Sequence, residues 1–319
     1  MDLNKLLFLL SDGNFHSGSE LGDALKVSRT SIWKAIPSLQ EFSVPIEIVK
    51  GKGYRVTNGL DLLDKNKIIS LLPQNISSII KIDTLLSYSS TNDYLSTSKH
   101  DAHFEAYHAC LAESQTAGRG RRGRSWVSPF AKNISLSVSF FLEGGAEALS
   151  GLSLVVGIAV AKTLEGLGVE GVCLKWPNDV YVGERKIAGV LLELSGEATT
   201  SWKVVCGIGL NVHMEKIDGV SIDQSWCSLD ESVRLERNVV VAKLLEQLFV
   251  VIELFKQDGF NYFLEEWSRL DMLRGKQVVV HPSGIEGKVV GVNLQGALTI
   301  KDDKTEHVIN AGEVSVRKK

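Results

Sequence analysis

Seven residues restrict what this chain can become more than any other stretch: Gly118-Arg-Gly-Arg-Arg-Gly-Arg124. Four arginines this close together cannot be buried without partners. The three glycines among them make both helix and strand poor choices. The run predicts a mobile, cationic loop, suited to closing over an anion and giving bidentate hydrogen bonds to carboxylate or phosphate. Read as G-x-G-x-x-G it would be a dinucleotide fingerprint. That fold needs an apolar helix next and an acid about twenty residues on, whereas Trp126-Val-Ser-Pro129 follows and the region near 143 reads as loop.

The rest of the chain does not share this cationic character. Its 319 residues carry a net charge of −3, which argues against indiscriminate nucleic-acid binding. The length allows two or three domains. Cys110, Cys173, Cys206 and Cys227 are irregularly spaced, giving neither metal-site spacing nor a disulfide framework. Buried thiols in a reducing cytoplasm are expected. The apolar run Leu6 to Leu10 is too short for a signal or a span, so no membrane is expected as a partner.

The first 64 residues read as a winged helix-turn-helix. A helix over 3–10 is broken by Asp12-Gly-Asn14, and Ser17-Gly-Ser-Glu20 is a capping box for a helix over 18–25. Ser28 caps a third helix from Arg29, with Ile32, Trp33, Ile36 and Leu39 at helical spacing. Two short strands, 44–49 and 53–56, flank the turn Gly51-Lys-Gly53. Residues 26–55 hold six basic side chains (Lys26, Arg29, Lys34, Lys50, Lys52, Arg55) and two acidic ones (Glu41, Glu47), a local +4. The recognition residues expected on DNA are Ser28, Arg29, Thr30, Ser31 and Lys34, with Lys52 from the wing. Winged helices also dock proteins, so DNA is one of two readings here. Pro37 is expected to kink or shorten the third helix.

Residues 65–270 read as a mixed-sheet layered domain and 271–319 as a small SH3-like barrel of short strands, an α+β chain overall. In the middle part, Ser89-Ser-Thr-Asn92 either caps a helix or offers small polar groups. Asp179 and Lys186, seven residues apart across a strand turn, are either a structural ion pair or a reactive pair. A carboxylate suits Mg²⁺ beside phosphates, and an ammonium suits charge developing on carboxylate or phosphorus.

Four motifs then resemble a family. Gly118-Arg-Gly-Arg-Arg-Gly-Arg-Ser-Trp126, Lys175-Trp-Pro-Asn-Asp179, Arg185-Lys-Ile-Ala-Gly-Val-Leu-Leu-Glu193 and Gly207-Ile-Gly-Leu-Asn211, in that order, look like the biotin protein ligases. With the winged helix in front, the chain is similar to the bifunctional bacterial form, biotin operon repressor and biotin–[acetyl-CoA-carboxylase] ligase in one. The resemblance implies activation of biotin by MgATP to biotinyl-5′-adenylate and transfer to a lysine of the biotin carboxyl carrier protein. It implies Ser90, Thr91, Asn92 and Gln115 around biotin, and Arg119, Gly120 and Arg121 on its carboxylate and later the phosphate. Lys186 would stabilise reacting charge, and Asp179 would lie near the metal and the incoming lysine. Trp126, Asn178, Asn211 and Trp226 would meet the nucleotide. Glu313 and Arg317 either serve ATP or are surface charges on a last strand. The implied partners are the carrier protein, operator DNA of biotin genes and a second copy of the chain, brought in by the adenylate. Rival readings are a ligase whose winged helix no longer represses and a regulator that senses biotin without catalysis. A lipoate-type ligase is disfavoured by the intact motifs.

Overall fold

The computed structural model describes residues 1–98, 106–195, 201–312 and 314–318. The chain opens with α1 (Leu3–Leu10), α2 (Gly18–Leu25) and α3 (Arg29–Gln40), then the antiparallel hairpin β1 (Ile46–Val49) and β2 (Gly53–Val56). The capping box closes in both directions: Glu20 donates its N–H to the Ser17 hydroxyl at 3.1 Å, and Ser17 donates its own to the Glu20 carboxylate at 2.7 Å. Leu6, Leu7, Leu10, Leu21, Ile32, Ile36, Leu39 and Val56 form a core of their own. One expectation is corrected here: α3 is not shortened at Pro37 but runs to Gln40, with Pro37 facing solvent and the following turn closed by the Glu41 N–H to the Pro37 carbonyl at 3.1 Å. Trp33 is not core: it is 64% exposed, since the inner stripe is Ile32, Ala35, Ile36 and Leu39.

Residues 60–64 leave this module along a polar anchorage. Arg237 is wholly buried. It donates to the Glu113 carboxylate at 2.6 Å, to the Asn133 carbonyl at 2.9 Å and to the Asp61 carbonyl at 2.9 Å. The second Glu113 oxygen accepts the Leu63 N–H at 2.6 Å. His213 sits between Asp230 (2.9 Å) and Asp61 (3.2 Å). One guanidinium thus ties the link segment to the two strands that flank the arginine loop. A buried charge persists only when paired and hydrogen-bonded in this way.

After α4 (Lys65–Leu71) and α5 (Gln74–Ser77) come β3 (Ile80–Tyr88), α6 (Thr91–Thr97), β4 (Tyr107–Gln115), β5 (Asn133–Glu143) and α7 (Leu152–Gly166). Then follow β6 (Val172–Lys175), β7 (Asp179–Val182), β8 (Arg185–Ser195), β9 (Ser201–Asn211), α8 (Arg237–Asp258) and α9 (Leu264–Leu270). The last helix is preceded by a separate 3₁₀ turn, Phe260–Phe263. Among the described residues the strands form one sheet in the order β3-β4-β5-β9-β8-β7-β6, parallel between β3 and β4 and antiparallel elsewhere.

Strand periodicity gives the two faces of this sheet different characters. Ile134, Leu136, Val138 and Phe140 of β5, with Ile208 and Leu210 of β9, are buried in the main core with α7 and α8. That burial explains why α7 is apolar enough to pass as a membrane span by composition. The opposite face carries Ser135, Ser137 and Ser139 of β5 opposite Gly209, Gly207 and Val205 of β9.

The C-terminal strands β10 (Gln277–His281), β11 (Ile285–Val292), β12 (Leu298–Lys301), β13 (Glu306–Ile309) and β14 (Ser315–Lys318) pair antiparallel in the order β13-β12-β11-β10-β14. β14 is the last strand that carries Arg317 in one of its two readings. Val278, Val280, Leu298 and Ile300 join the same apolar core as the central sheet. Glu313 lies outside the described residues.

Candidate active site and nucleic-acid interface

On the serine and glycine side of the central sheet, Gly207 and Gly209 of β9 and Gly189 of β8 form the floor of a cavity of about 410 Å³. Its depth comes from missing side chains. A Cβ on Gly209 would lie 2.2 Å from the Trp126 ring, and one on Gly207 would lie 2.5 Å from Asn92 Oδ1. Only glycine lets Trp126 and Asn92 lie so close to the sheet. The Trp126 indole N–H is buried without a hydrogen-bond partner, a donor for which a bound molecule could supply the acceptor.

One end of the cavity is a buried polar cluster at the start of α6. Ser90, Thr91 and Asn92 are each at most 4% exposed. Gln115 at the end of β4 accepts the Thr91 N–H at 2.8 Å, and Ser137 donates to Asn92 Oδ1 at 2.6 Å. Ser90 occupies the N-cap position without a side-chain capping bond; Gln115 satisfies the helix end instead. Ser137 was missed in the sequence. The signal was the alternation Asn133-Ile-Ser-Leu-Ser-Val-Ser139, which puts hydroxyls on one face.

The other end holds the charged pair. Lys186 Nζ lies 2.7 Å from Asp179 Oδ1, with side chains 13% and 22% exposed, and 5.7 Å from the Trp126 ring. Residues 186 and 189, three apart, would face opposite sides of a regular strand. The register of β7 against β8 shifts between Val180 and Tyr181, so Asp179 pairs with Gly189 while Tyr181 pairs with Lys186. The extra residue turns Lys186 to the cavity side, where a Cβ on Gly189 would meet its Nζ at 3.4 Å. Bulges re-aim side chains in this way beside active sites. Asn178 is fixed by its amide donating to the Val190 carbonyl at 2.6 Å, and Trp176 by its indole donating to the Gly296 carbonyl at 3.0 Å. The Trp176–Pro177 peptide is cis.

The arginine loop roofs the cavity, with more order than its composition predicts. Arg119 bridges Ser125, and Arg121–Gly123 make a 3₁₀ turn with Arg122 in the left-handed region. Arg119 is held by Asp93 (2.6 Å) and Glu193 (2.9 Å). Its guanidinium in turn keeps the Asp93 carboxyl below the usual range. Arg121 reaches Asn178 at 3.3 Å and the Gly312 carbonyl at 2.5 Å. A second hollow of about 370 Å³ adjoins it, lined by Arg122, Arg124, His281, Ser315 and Arg317.

Among the described residues, every expected ligand residue lines the cavity except two. Asn211 is buried between Asn133, whose amide donates to it, and the Cys227 carbonyl, to which it donates at 3.1 Å. Trp226 pairs through its backbone with Lys186, and its indole lies against Gly219. Asp223 and Gln224 of the same segment line the cavity instead. No group of three or more His, Cys, Asp or Glu side chains suited to a metal occurs among the described residues. Asp179 is the carboxylate paired with Lys186 among the described residues, which fits an ion that arrives on phosphate oxygens. Cys110, Cys206 and Cys227 are buried, as expected, whereas Cys173 is only half-buried. Burial pushes the Cys227 thiol up to about 11.

In the N-terminal module Arg29, Thr30, Lys34 and Lys52 are exposed. Ser28 and Ser31 are occupied with each other: the Ser28 hydroxyl accepts the Ser31 N–H at 3.1 Å, and the two hydroxyls are 2.9 Å apart. Arg55 pairs with Glu47 at 2.7 Å, and its guanidinium stacks 4.5 Å over Phe15, which Lys52 also approaches at 5.6 Å.

Residues 86–211 match the model of the biotin/lipoate A/B protein ligase family, and residues 2–55 match a helix-turn-helix domain. The bifunctional ligase/repressor BirA of Salmonella typhimurium is 40% identical over 98% of this chain and 96% of its own length. That of Escherichia coli is 38% identical over the same shares. The biotin protein ligase of Aquifex aeolicus, solved in complex with biotin and ATP, is 31% identical with a TM-score of 0.65, covering 75% of this chain and 99% of that one.

Proposed function

From the premise that this chain belongs to the biotin protein ligases, in their bifunctional ligase/repressor form, we propose how its own residues divide the work. The chain is an ATP-dependent biotin–protein ligase and a helix-turn-helix repressor. ATP and biotin are its substrates, with Mg²⁺ the usual ion. The observation that carries the assignment is one cavity joining a buried polar cluster, a Lys–Asp pair and an arginine loop.

Biotin lies at the cluster of Ser90, Thr91, Asn92 and Gln115, whose small donors and acceptors suit a neutral polar ring. Its carboxylate points to Lys186, Arg119 and Arg121. Attack of that carboxylate on the α-phosphorus of ATP forms the mixed anhydride and releases pyrophosphate. Lys186, fixed charge held close by, stabilises the anion as it develops. Arg119, Trp126, Asn178 and Arg317 hold the nucleotide half. Asp179 is the carboxylate nearest the metal that ATP brings and the lysine that later attacks the anhydride. Closure of the arginine loop keeps water from the intermediate.

The acceptor is a lysine of the biotin carboxyl carrier protein of acetyl-CoA carboxylase. The winged helix binds operator DNA of biotin genes as a dimer promoted by the adenylate, and the chain works in the cytoplasm. We read the domains as 1–64, 65–270 and 271–319, the last an SH3-like barrel. Incubation with biotin, MgATP and a carrier domain should label one carrier lysine, read by intact mass; absence of the label refutes the ligase assignment. Adenylate-dependent retardation of the chain's own biotin-gene promoter tests the repressor half.

A further inference from the structure

We propose that Trp33 reads the methyl groups of thymine in the major groove, making it a specificity-determining residue of α3; this rests on the DNA-binding reading above. The outward face of α3 runs Arg29, Thr30, Trp33, Lys34 and Pro37. Trp33 is 64% exposed, and Pro37, one turn on, is exposed too. The inner face is already filled, with Ile32, Ile36 and Leu39 at most 1% exposed. The indole is therefore surplus to the core of its own module.

The surroundings identify what covers it. Residues 26–55 carry +4 in a chain of −3. Arg55 is compensated by Glu47, while Lys26, Arg29, Lys34 and Lys50 have no carboxylate partner among the described residues. A broad aromatic surface on the same exposed helix face as Arg29 and Lys34, cations without a carboxylate partner among the described residues, is complementary to a polyanion that also shows an apolar group. Duplex DNA meets that condition: phosphates hold the rim, and the thymine C5-methyl is the apolar group on a major-groove base edge. With the Ser28 and Ser31 hydroxyls bonded to each other and to the helix end, most of the hydrogen-bonding reach of the first turns comes from Arg29, Thr30 and Lys34. Apolar contact from Trp33 supplies discrimination those few donors cannot. Pro37 extends the same strip.

The full-length chain, with biotin and MgATP, is used to select a binding site from a random duplex pool. Affinity is then measured by fluorescence anisotropy with each thymine replaced in turn by deoxyuridine, which lacks only the methyl. We expect wild-type binding to weaken about fourfold at one or more thymines, the worth of one buried methyl group. Trp33→Ala should bind more weakly and lose that sensitivity at the same positions. As a surface substitution it should melt with the wild type. If no thymine responds in the wild type, or Trp33→Ala keeps every penalty, the inference is wrong while DNA binding stands. If the pool yields no site at all, the DNA-binding reading falls and takes the inference with it.

Discussion

Replacing Arg237 with methionine should destabilise the protein more than any other single change outside the apolar core. Methionine is close in length, so the change isolates charge and hydrogen bonding from cavity formation. The lost bonds are those to the Glu113 carboxylate (2.6 Å), the Asn133 carbonyl (2.9 Å) and the Asp61 carbonyl (2.9 Å). Glu113, 4% exposed, would keep only the Leu63 N–H. Removing one partner of a buried ion pair costs about 3–5 kcal/mol. Against a typical total of roughly 5–15 kcal/mol, that is a large share. The backbone N–H of Arg237 still reaches the Asp61 carboxylate, so the link segment loses part of its anchorage rather than all. The measurement is a urea denaturation cycle on Arg237→Met, Glu113→Gln and the double variant. Each single substitution leaves one buried charge unpaired, whereas the double leaves none. The double should therefore cost less than the sum by about 2 kcal/mol or more, within the range for coupled neighbours. Additivity to within about 0.5 kcal/mol, or a cost for Arg237→Met under about 1 kcal/mol, would refute the reasoning.

Lys186→Ala should slow adenylate formation by roughly 10²–10³, the usual loss for one preorganised electrostatic group; pyrophosphate release measures it, and near-normal turnover rules the role out. Gly209→Ala places a Cβ 2.2 Å from the Trp126 ring and should raise the KM for ATP and biotin, with an overpacking cost of about 1–3 kcal/mol; unchanged KM values would show that the ring moves freely. Burial alone would raise the Asp61 carboxyl, but hydrogen bonds from His213 and the Arg237 N–H, with the Arg237 charge, hold it below its usual range. Its stabilisation is therefore complete above the unfolded value of about 3.9 and is lost as pH falls through the lower folded one. Urea midpoints should accordingly fall less between pH 5 and the acid limit in Asp61→Asn than in the wild type, and parallel profiles would contradict this.

What the sequence made legible was local. The Ser17 capping box needs only residues three apart, and it is present. The inner stripe of α3 follows from its period, yet the same period did not separate Trp33 from its neighbours, because one residue of offset turns a side chain about 100° around the helix. The cavity motifs were visible as strings, and the fold brings most of them together. Their geometry was not visible. The register shift that aims Lys186 depends on how β7 pairs with β8, and nothing in either strand alone marks it. Arg237 and Glu113 are 124 residues apart, so their pairing has no local signature. Asn211 and Trp226 belong to motif strings but do not line the cavity, and the bonds of Asn211 to Asn133 and the Cys227 carbonyl had no local sign in the sequence.

The arginine loop has a consequence for how an anion travels. Arg122, Arg124 and Arg317 stand at the rim with no carboxylate partner among the described residues. Arg119 is already paired with Asp93 and Glu193, and the more buried Lys186 with Asp179. If the anion is taken by Arg119 and Lys186 as proposed, the site works as an ion exchanger behind a charged mouth. Arrival draws on bare charge and is screened by salt. Residence is a swap, in which a ligand oxygen displaces a resident carboxylate and only the difference between the two pairings remains as affinity. Added salt should then slow capture more than it hastens release, and the displaced carboxylates of Asp93 and Glu193 become the groups whose new positions distinguish a filled site from an empty one.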